Sequence, residues 1–515
     1  MWFRQGGAVG PKPRFRADVR DSPAFVEPPE RPGWFRDRLA HCSDVYFHEI
    51  ALSDTVSGVI VYIEEIVDMK VLREQLLRPI ADGLPAESVA SADALRKAIP
   101  VPAAHTTPDC RKTLLAVLNG AVAIMAEPYD ELVVVPLRAV KKRPVGETVS
   151  ENVIRGPKEA FAEDLATNLS LVRKRIKHPD LKMESVELGA YTGTDVAILY
   201  IEGLCRKELV DELRRRMSLI DIDGVLGSSY VEEFIEDNPF SPFPQVQYTE
   251  RPDTTAAALL EGRIAVVVDG TPMALLVPVT LYMLLQSAED YYQRYMAATW
   301  IRWIRYLFLL VSFLLPSLYV AITTFHPEML PPNLLLTVAA ARENVPFPAI
   351  VEAFLMELTF EALREAGLRI PKPIGQTVSI IGALVLGQAA IEAGIVSSPM
   401  LIVVSITGIA SFIIPHFDLG LTFRLLRFPI MVLAGSFGLF GIMIGIFLIY
   451  LHLVTLRSFG TPYLTPTAPL RFGDFKDVLV RAPWWLMKKR PVLYGNANRQ
   501  RMSVRKRTES DPTED

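Results

Sequence analysis

Four apolar runs without a charged residue constrain this chain more than any other feature of it. Residues 306–325, 374–391, 400–417 and 428–456 hold no Asp, Glu, Lys or Arg, and only His416 and His452 fall inside them as ionisable groups. A helix rises about 1.5 Å per residue, so about 20 residues cross a hydrocarbon core about 30 Å thick. The first and last runs are long enough to span. The middle two are shorter, and are read as spans because a buried soluble helix of that length rarely lacks every charge. Composition agrees. Of 515 residues 50% are hydrophobic and 22% charged, with a mean hydropathy of +0.25, too apolar for a disordered chain. The net charge of −4 gives no ground for a nucleic-acid partner.

Polar residues around the runs set an orientation. Residues 1–40 contain eight Lys/Arg and five Asp/Glu, and no apolar stretch of the kind that opens a signal peptide. Arg302 and Arg305 precede the first run and Glu328 follows it. Residues 471–507 carry eleven Lys/Arg against Asp474 and Asp477. Positive charge stays on the synthesis side, so the N-terminal half and the tail are both expected to be cytoplasmic. Two ends on one side require an even number of crossings, and four is the simplest count. Segment 345–367 complicates it. As a fifth crossing it strands the basic tail outside; otherwise it is a re-entrant or interface-lying helix.

That segment holds the candidate ion-path residues. Glu357, Glu361 and Glu365 recur at i, i+4 and share one helix face, with Glu352 nearly opposite. Carboxylates in or near a bilayer normally face protein or a water-filled path. The stripe therefore reads as the lining of a pore or vestibule that attracts cations. The other reading is an amphipathic helix at the interface, with Arg364 pairing locally. Gly441-Ile-Met-Ile-Gly445, preceded by Gly438, is a small-residue pattern that lets helices approach closely. These three glycines are the helix-packing candidates.

The soluble half repeats itself. Val59-Ile-Val-Tyr-Ile-Glu64 returns as Ala197-Ile-Leu-Tyr-Ile-Glu202, and Leu118-Asn-Gly-Ala-Val-Ala-Ile-Met125 returns as Leu260-Glu-Gly-Arg-Ile-Ala-Val-Val267. Two blocks in the same order at nearly the same spacing predict two related α/β subdomains. Each is expected to run strand–strand–helix, a variable middle, then helix–strand–strand. The expected organisation is a polar, disordered extension over 1–40, a first subdomain over 41–145, a helical connector over 146–180 and a second subdomain over 181–285. An interfacial linker helix over 286–303, a transmembrane region over 304–456 and a basic cytosolic tail over 457–515 follow. The fold class is α/β plus membrane α-helical: two cytosolic subdomains followed by a C-terminal helical transmembrane bundle. The proline-rich stretch 237–253 is long for a loop and is expected to make contacts.

Catalytic constellations are missing. No GxxxxGK[ST], GxGxxG, GxSxG or HExxH occurs. Cys42, Cys110 and Cys205 form no CxxC, so neither a disulfide framework nor a structural zinc is expected. An enzyme acting on lipid or peptidoglycan is disfavoured, and no cofactor or metal is implied.

Several stretches together carry a resemblance. They are Val153-Ile-Arg-Gly-Pro-Lys-Glu-Ala-Phe161, Thr167-Asn-Leu-Ser-Leu-Val-Arg-Lys-Arg-Ile176, Ile220-Asp-Ile-Asp-Gly224, Tyr248-Thr-Glu-Arg-Pro-Asp253, Phe347-Pro-Ala349, Leu363-Arg-Glu-Ala-Gly-Leu-Arg369 and Pro373-Ile-Gly-Gln376. In order and spacing, from about residue 44 to about 470, the chain resembles the A subunits of bacterial endospore germinant receptors, the GerA family. The resemblance implies a protein of the inner spore membrane that works with a transporter-like, nutrient-binding B subunit and a lipoprotein C subunit. It also implies a homo-oligomeric ring, a pentamer, that conducts cations when nutrient is sensed. Two alternatives stay open: a non-conducting scaffold of the germination machinery, and a signal-amplifying channel associated with dipicolinate release. The stretch Asp237-Asn-Pro-Phe-Ser-Pro-Phe-Pro244 looks more like the nutrient-receptor branch.

Overall fold

The structure, a computed structural model, describes residues 23–53, 55–139, 146–369, 387–491, 498 and 500–502. Its chain divides into two compact units. One comprises Met1–Asp237, Val246–Pro278 and Ala482–Asp515; the other comprises Asn238–Gln245 and Val279–Arg481.

The first unit contains two five-stranded antiparallel sheets of identical strand order. In the first, β1 (Val45–Ala51), β2 (Ser57–Ile63), β3 (His105–Thr107), β4 (Ala121–Ala126) and β5 (Leu132–Pro136) lie in the order β1-β2-β4-β5-β3. In the second, β6 (Leu181–Leu188), β7 (Thr194–Ile201), β8 (Gln247–Thr249), β9 (Ile264–Val268) and β10 (Ala274–Val277) lie in the order β6-β7-β9-β10-β8. The repeated segments of the sequence are equivalent strands, β2 with β7 and β4 with β9. Those strands are uninterrupted apolar runs because both their faces are covered. Ile60, Tyr62, Val122 and Ile124 point into one core, while Val61, Ile63, Ala123 and Met125 point into another beneath Phe35 and Leu114. Burying each such side chain contributes about 1.5–3 kcal/mol. Short β3 and β8, which the repeat alone did not reveal, close the far edge of each sheet.

Helices begin where side chains can take up orphan backbone donors. Asp109 accepts from the Lys112 backbone N–H at 3.1 Å at the start of α1 (Cys110–Val117). Asp164 accepts from the Thr167 backbone N–H at 2.8 Å at the start of α2 (Leu165–Arg175). Helices α3 (Lys207–Met217) and α4 (Ser228–Ile235) fill the middle of the second repeat. Helix α5 (Pro252–Glu261) has proline in its first turn and ends on Gly262 at φ 92°, a backbone conformation that favours glycine.

Two boundary expectations need correction in this unit. Arg31–Arg38 is helical rather than part of a disordered extension. Phe35 is fully buried, and Arg31 donates to the carbonyls of Val26, Tyr129 and Asp130 at 3.0, 2.9 and 2.7 Å. The connector is helical only over α2; residues 146–161 are irregular and are held by the hydrogen bonds described below.

The second unit is built on helices α6 (Tyr295–Phe325), α7 (Pro332–Arg342), α8 (Ala349–Arg369), α9 (Ser398–Ser411) and α10 (Phe417–Thr455). Two of these, α6 and α10, are long and apolar enough to cross a membrane, and α9 is a shorter apolar helix. The expected linker helix over 286–303 is broken. A single turn, Glu289–Tyr292, ends at Gln293, and α6 starts at Tyr295 and continues into the first apolar run. Most of the run 374–391 lies outside the described residues.

The expected single 29-residue crossing over 428–456 is also replaced. Helix α10 turns at Gly438, whose φ is 62° and ψ −141°. A Cβ on Gly441 would collide with the Leu433 carbonyl, and one on Gly445 with the Ile430 side chain. The Phe243 ring meets Phe423 at 5.8 Å and His452 at 6.0 Å. Contacts between residues so far apart along a straight helix require a hairpin. One arm covers 417–437 and the other 439–455, about 31 and 25 Å long. The glycine pattern is what allows the arms to touch.

The start of the tail is folded. Residues 457–481 belong to the second unit, where Arg457–Ser458 pairs with Thr461–Pro462 and Tyr463 is fully buried. Asp477 is drawn against the start of α6: Arg302 donates to its carboxylate at 3.1 Å and to its carbonyl at 2.6 Å. Arg302 and Arg305 both bond Asp290, each at 2.9 Å.

Candidate functional site

Helix α8 carries the predicted acidic stripe and packs antiparallel to the first arm of α10. Gly435 faces Ile350 at one end, and Arg424 lies 3.2 Å from Glu361 at the other. Between them the guanidinium of Arg427 pairs with Glu357; both side chains are almost wholly buried. Glu361 also receives a hydrogen bond from Arg364 at 2.9 Å. Arg364 in turn lies over the rings of Phe360 and Phe412, 5.0 and 4.9 Å from their centroids, and donates to Ser411 Oγ at 2.8 Å.

Glu352 points the other way, as its helical position required. Its carboxylate accepts from the backbone N–H of Ser397 at 2.6 Å and from the Ser397 hydroxyl, and lies 3.6 Å from Arg342 Nε. Phe360 fits against Gly408. Glu352 beside Ser397, Phe360 beside Gly408 and Arg364 beside Ser411 place α9 parallel to α8.

The stripe is therefore a ladder of ion pairs. Glu357 and Glu361 are bonded to arginines, and Glu365 alone of the three is exposed. Arg424 and Arg427 were missed in the sequence because they precede the last apolar run. Their signal was present: a spacing of three on one helix matches the spacing of four on its antiparallel neighbour. Among the described residues no group of three His, Cys, Asp or Glu is placed to hold a metal ion.

The proline-rich stretch makes the contacts its length suggested. Asn238–Gln245 belongs to the second unit, although the chain on both sides of it belongs to the first. Ser241 Oγ lies 2.8 Å from His452 Nε2, Thr422 donates to the Pro242 carbonyl, and Tyr463 donates to that of Pro244 at 2.8 Å. Phe243, 1% exposed, sits among Phe423, His452 and Tyr463.

Two of the signature stretches interlock inside the first unit. Glu250 accepts from the backbone N–H groups of Ser150 and Glu151 at 2.6 and 2.7 Å and from the Ser150 hydroxyl at 3.0 Å. Arg251 donates to the carbonyls of Glu151 and Pro157 at 3.0 and 2.7 Å. A third stretch joins the two sheets. Arg173 of α2 makes paired hydrogen bonds with Asp44 at 2.9 and 2.7 Å, both side chains being 1% exposed, and donates to the Leu181 carbonyl at 3.0 Å. Burial and the nearby Asp44 push the Glu65 carboxyl up to about 8.

Burial likewise pushes the Glu151 carboxyl up to about 7, against a hydrogen bond from Thr249 that favours the charged form. The folded protein thus holds this proton more tightly than the unfolded chain does. The resulting stability, about 3 kcal/mol, is complete below about pH 4.5 and is lost as pH rises through about 7. Glu151→Gln is expected to flatten that loss and to raise the unfolding midpoint at pH 8. Thermal unfolding of the full-length chain in detergent at successive pH values measures it; a variant that unfolds earlier than wild type at pH 8 contradicts it.

Comparison with known proteins supplies the remaining information. Residues 34–493 match the family model described as "Bacillus/Clostridium GerA spore germination protein", wider at both ends than the motifs suggested. The chain is 47% identical over 464 residues to the uncharacterized membrane protein YfkQ of Bacillus subtilis (strain 168), covering 90% of each chain. It is 42% identical over 480 residues to spore germination protein KA of the same organism, covering 92% of this chain and 88% of that one. The crystal structure of the N-terminal domain of the A subunit of the Bacillus megaterium spore germinant receptor GerK3 aligns at 31% identity. It covers 50% of this chain and 96% of that one, with a TM-score of 0.39.

Proposed function

The chain belongs to the GerA family of spore germination proteins, and from that premise we propose that it is a germinant receptor A subunit acting as one subunit of an oligomeric, nutrient-gated cation channel. Its partners are a nutrient-binding B subunit, a lipoprotein C subunit and further copies of itself, in a pentameric ring in the inner spore membrane. Helices α6, α8, α9 and both arms of α10 cross the membrane, together with the run 374–391 that the sequence reads as a span, and the first unit and the tail lie on the cytoplasmic side.

One observation carries the reading. Helix α8 turns Val351, Leu355 and Leu358 outward, 44, 44 and 57% exposed, and the same face continues through Ala362 to Glu365. Glu352, Glu357 and Glu361 are bonded inward. With α8 next to a shared axis, the apolar face forms a constriction that excludes water, and Glu365 meets ions at one mouth. The expected cation preference therefore moves from Glu357 and Glu361 to Glu365. Leu358→Ser is expected to raise basal cation flux through reconstituted membranes by about tenfold, and Glu365→Gln to lower selectivity for cations over anions. Unchanged flux and selectivity in both variants would remove α8 from any conduction path.

The inward pairing of Glu357 and Glu361 favours the non-conducting scaffold as the second reading. Particle mass in mild detergent separates the two, because a single copy cannot enclose a central path.

A further inference from the structure

The chain after the contact of Asp477 with α6 holds a short segment whose polar anchors and exposed apolar groups are sharply divided. Met487 is 2% and Arg490 8% exposed. Arg490 donates to the carbonyls of Leu260, Asn498 and Gln500 at 2.8, 3.0 and 2.9 Å. Those bonds fix the backbone. The side chains turned outward are Trp484, Trp485 and Leu486, 42, 64 and 56% exposed, and the exposed Lys488 and Lys489. Large apolar side chains presented by a tethered backbone mark an interaction surface rather than a frayed end. The charge beside them is mainly positive: the two lysines, and Arg501, whose guanidinium lies 5.3 Å over the Trp484 ring and 3.5 Å from the carboxylate of Glu261.

The covalent chain gives this surface a level. The Arg481 backbone N–H donates to Thr299 Oγ1 at 3.1 Å in the first turns of α6, and Trp485 follows within about 14 Å of extended chain. The same turns of α6 expose Trp300 and Trp303, 63 and 50%. Tryptophan collects where hydrocarbon meets headgroups, and lysine there is attracted to anionic lipid.

We propose that Trp485, Leu486, Lys488 and Lys489 form a membrane-interface foot that binds anionic phospholipid headgroups. The inference rests on the membrane reading of α6 and is independent of conduction. Its occupant is set by the chemistry of the patch, in which indole and leucine lie beside cations, and by the tether to α6. The foot ties the C-terminal part of the first unit to the lipid surface, so lipid charge becomes an input to that unit.

The test uses the full-length chain in nanodiscs, with Cys205→Ser and an environment-sensitive fluorophore on Leu486→Cys; Cys42 and Cys110 are buried. Spin-labelled lipids report contact. Quenching is expected in discs of phosphatidylcholine with phosphatidylglycerol. Lys488→Gln with Lys489→Gln is expected to lower the bound-to-free ratio about 30-fold, from about fivefold per lysine. A second label at Leu310→Cys on α6 checks the membrane reading by itself and should be quenched in neutral and anionic discs alike. If that label is quenched while the one at 486 is not, the foot is overturned and α6 still spans. Quenching at 486 that ignores both lipid charge and the lysines overturns it too. So does a blue-shifted but unquenched label, which would mean a protein covers the patch. An unquenched label at 310 removes the membrane reading and the foot with it.

Discussion

Arg427→Leu is expected to destabilise the second unit by about 3–5 kcal/mol, because it leaves the Glu357 carboxylate buried without a partner. The size follows from burial. The same chemistry between Arg36 and Glu49, with both side chains more than half exposed, is worth about 0–1 kcal/mol. Glu357→Gln combined with Arg427→Leu should recover most of the loss, since the double variant carries no stranded charge. Unfolding of the purified chain in mild detergent, followed for both variants, decides it. Equal losses in the single and double variants would show that packing around Arg427 is what matters, not the pair.

A comparable loss is expected in the first unit from Arg173→Leu. Its guanidinium bonds Asp44, just before β1, and the carbonyl of Leu181, at the start of β6. One side chain thus ties α2 to the edge strand of each sheet. Removing it strands a buried carboxylate and a buried carbonyl together, again about 3–5 kcal/mol. Asp44→Asn added to Arg173→Leu should restore the part due to charge and leave the part due to Leu181. Denaturant unfolding of the full-length chain measures both. If the double variant is no more stable than the single one, Asp44 is not the group that Arg173 neutralises.

Much of the soluble fold was legible because strands buried on both faces leave continuous apolar runs, and a repeat copies them. The run from Val59 and its copy from Ala197 are β2 and β7, central in their sheets. Strands β3 and β8 were not legible; each is three residues long and pairs along one side only. The face shared by Glu357, Glu361 and Glu365 was readable from spacing, but what covers it depends on which helix packs there, and that is tertiary information. Gly438 shows the same limit. Its sequence context announced close approach, yet contact between separate helices and a turn within one apolar run call for the same small residues. The segment around Arg31 was misread for a related reason: its charge suggested solvent, whereas three backbone carbonyls bind the guanidinium.

The bend at Gly438 also changes the parity of the proposed membrane topology. Counting α8 as a crossing made the total odd when 428–456 counted once, which left the arginine-rich C-terminus on the wrong side. A reversal adds a traverse. The run 374–391, read from the sequence as a span, lies mostly outside the described residues and is counted as one passage. The proposed sequence of passages is then outward on α6, inward on α8, outward on that run, inward on α9, outward and finally inward on α10. On that proposal both termini share one compartment, and a lone glycine at positive φ reconciles an acid-bearing helix with the positive-inside rule.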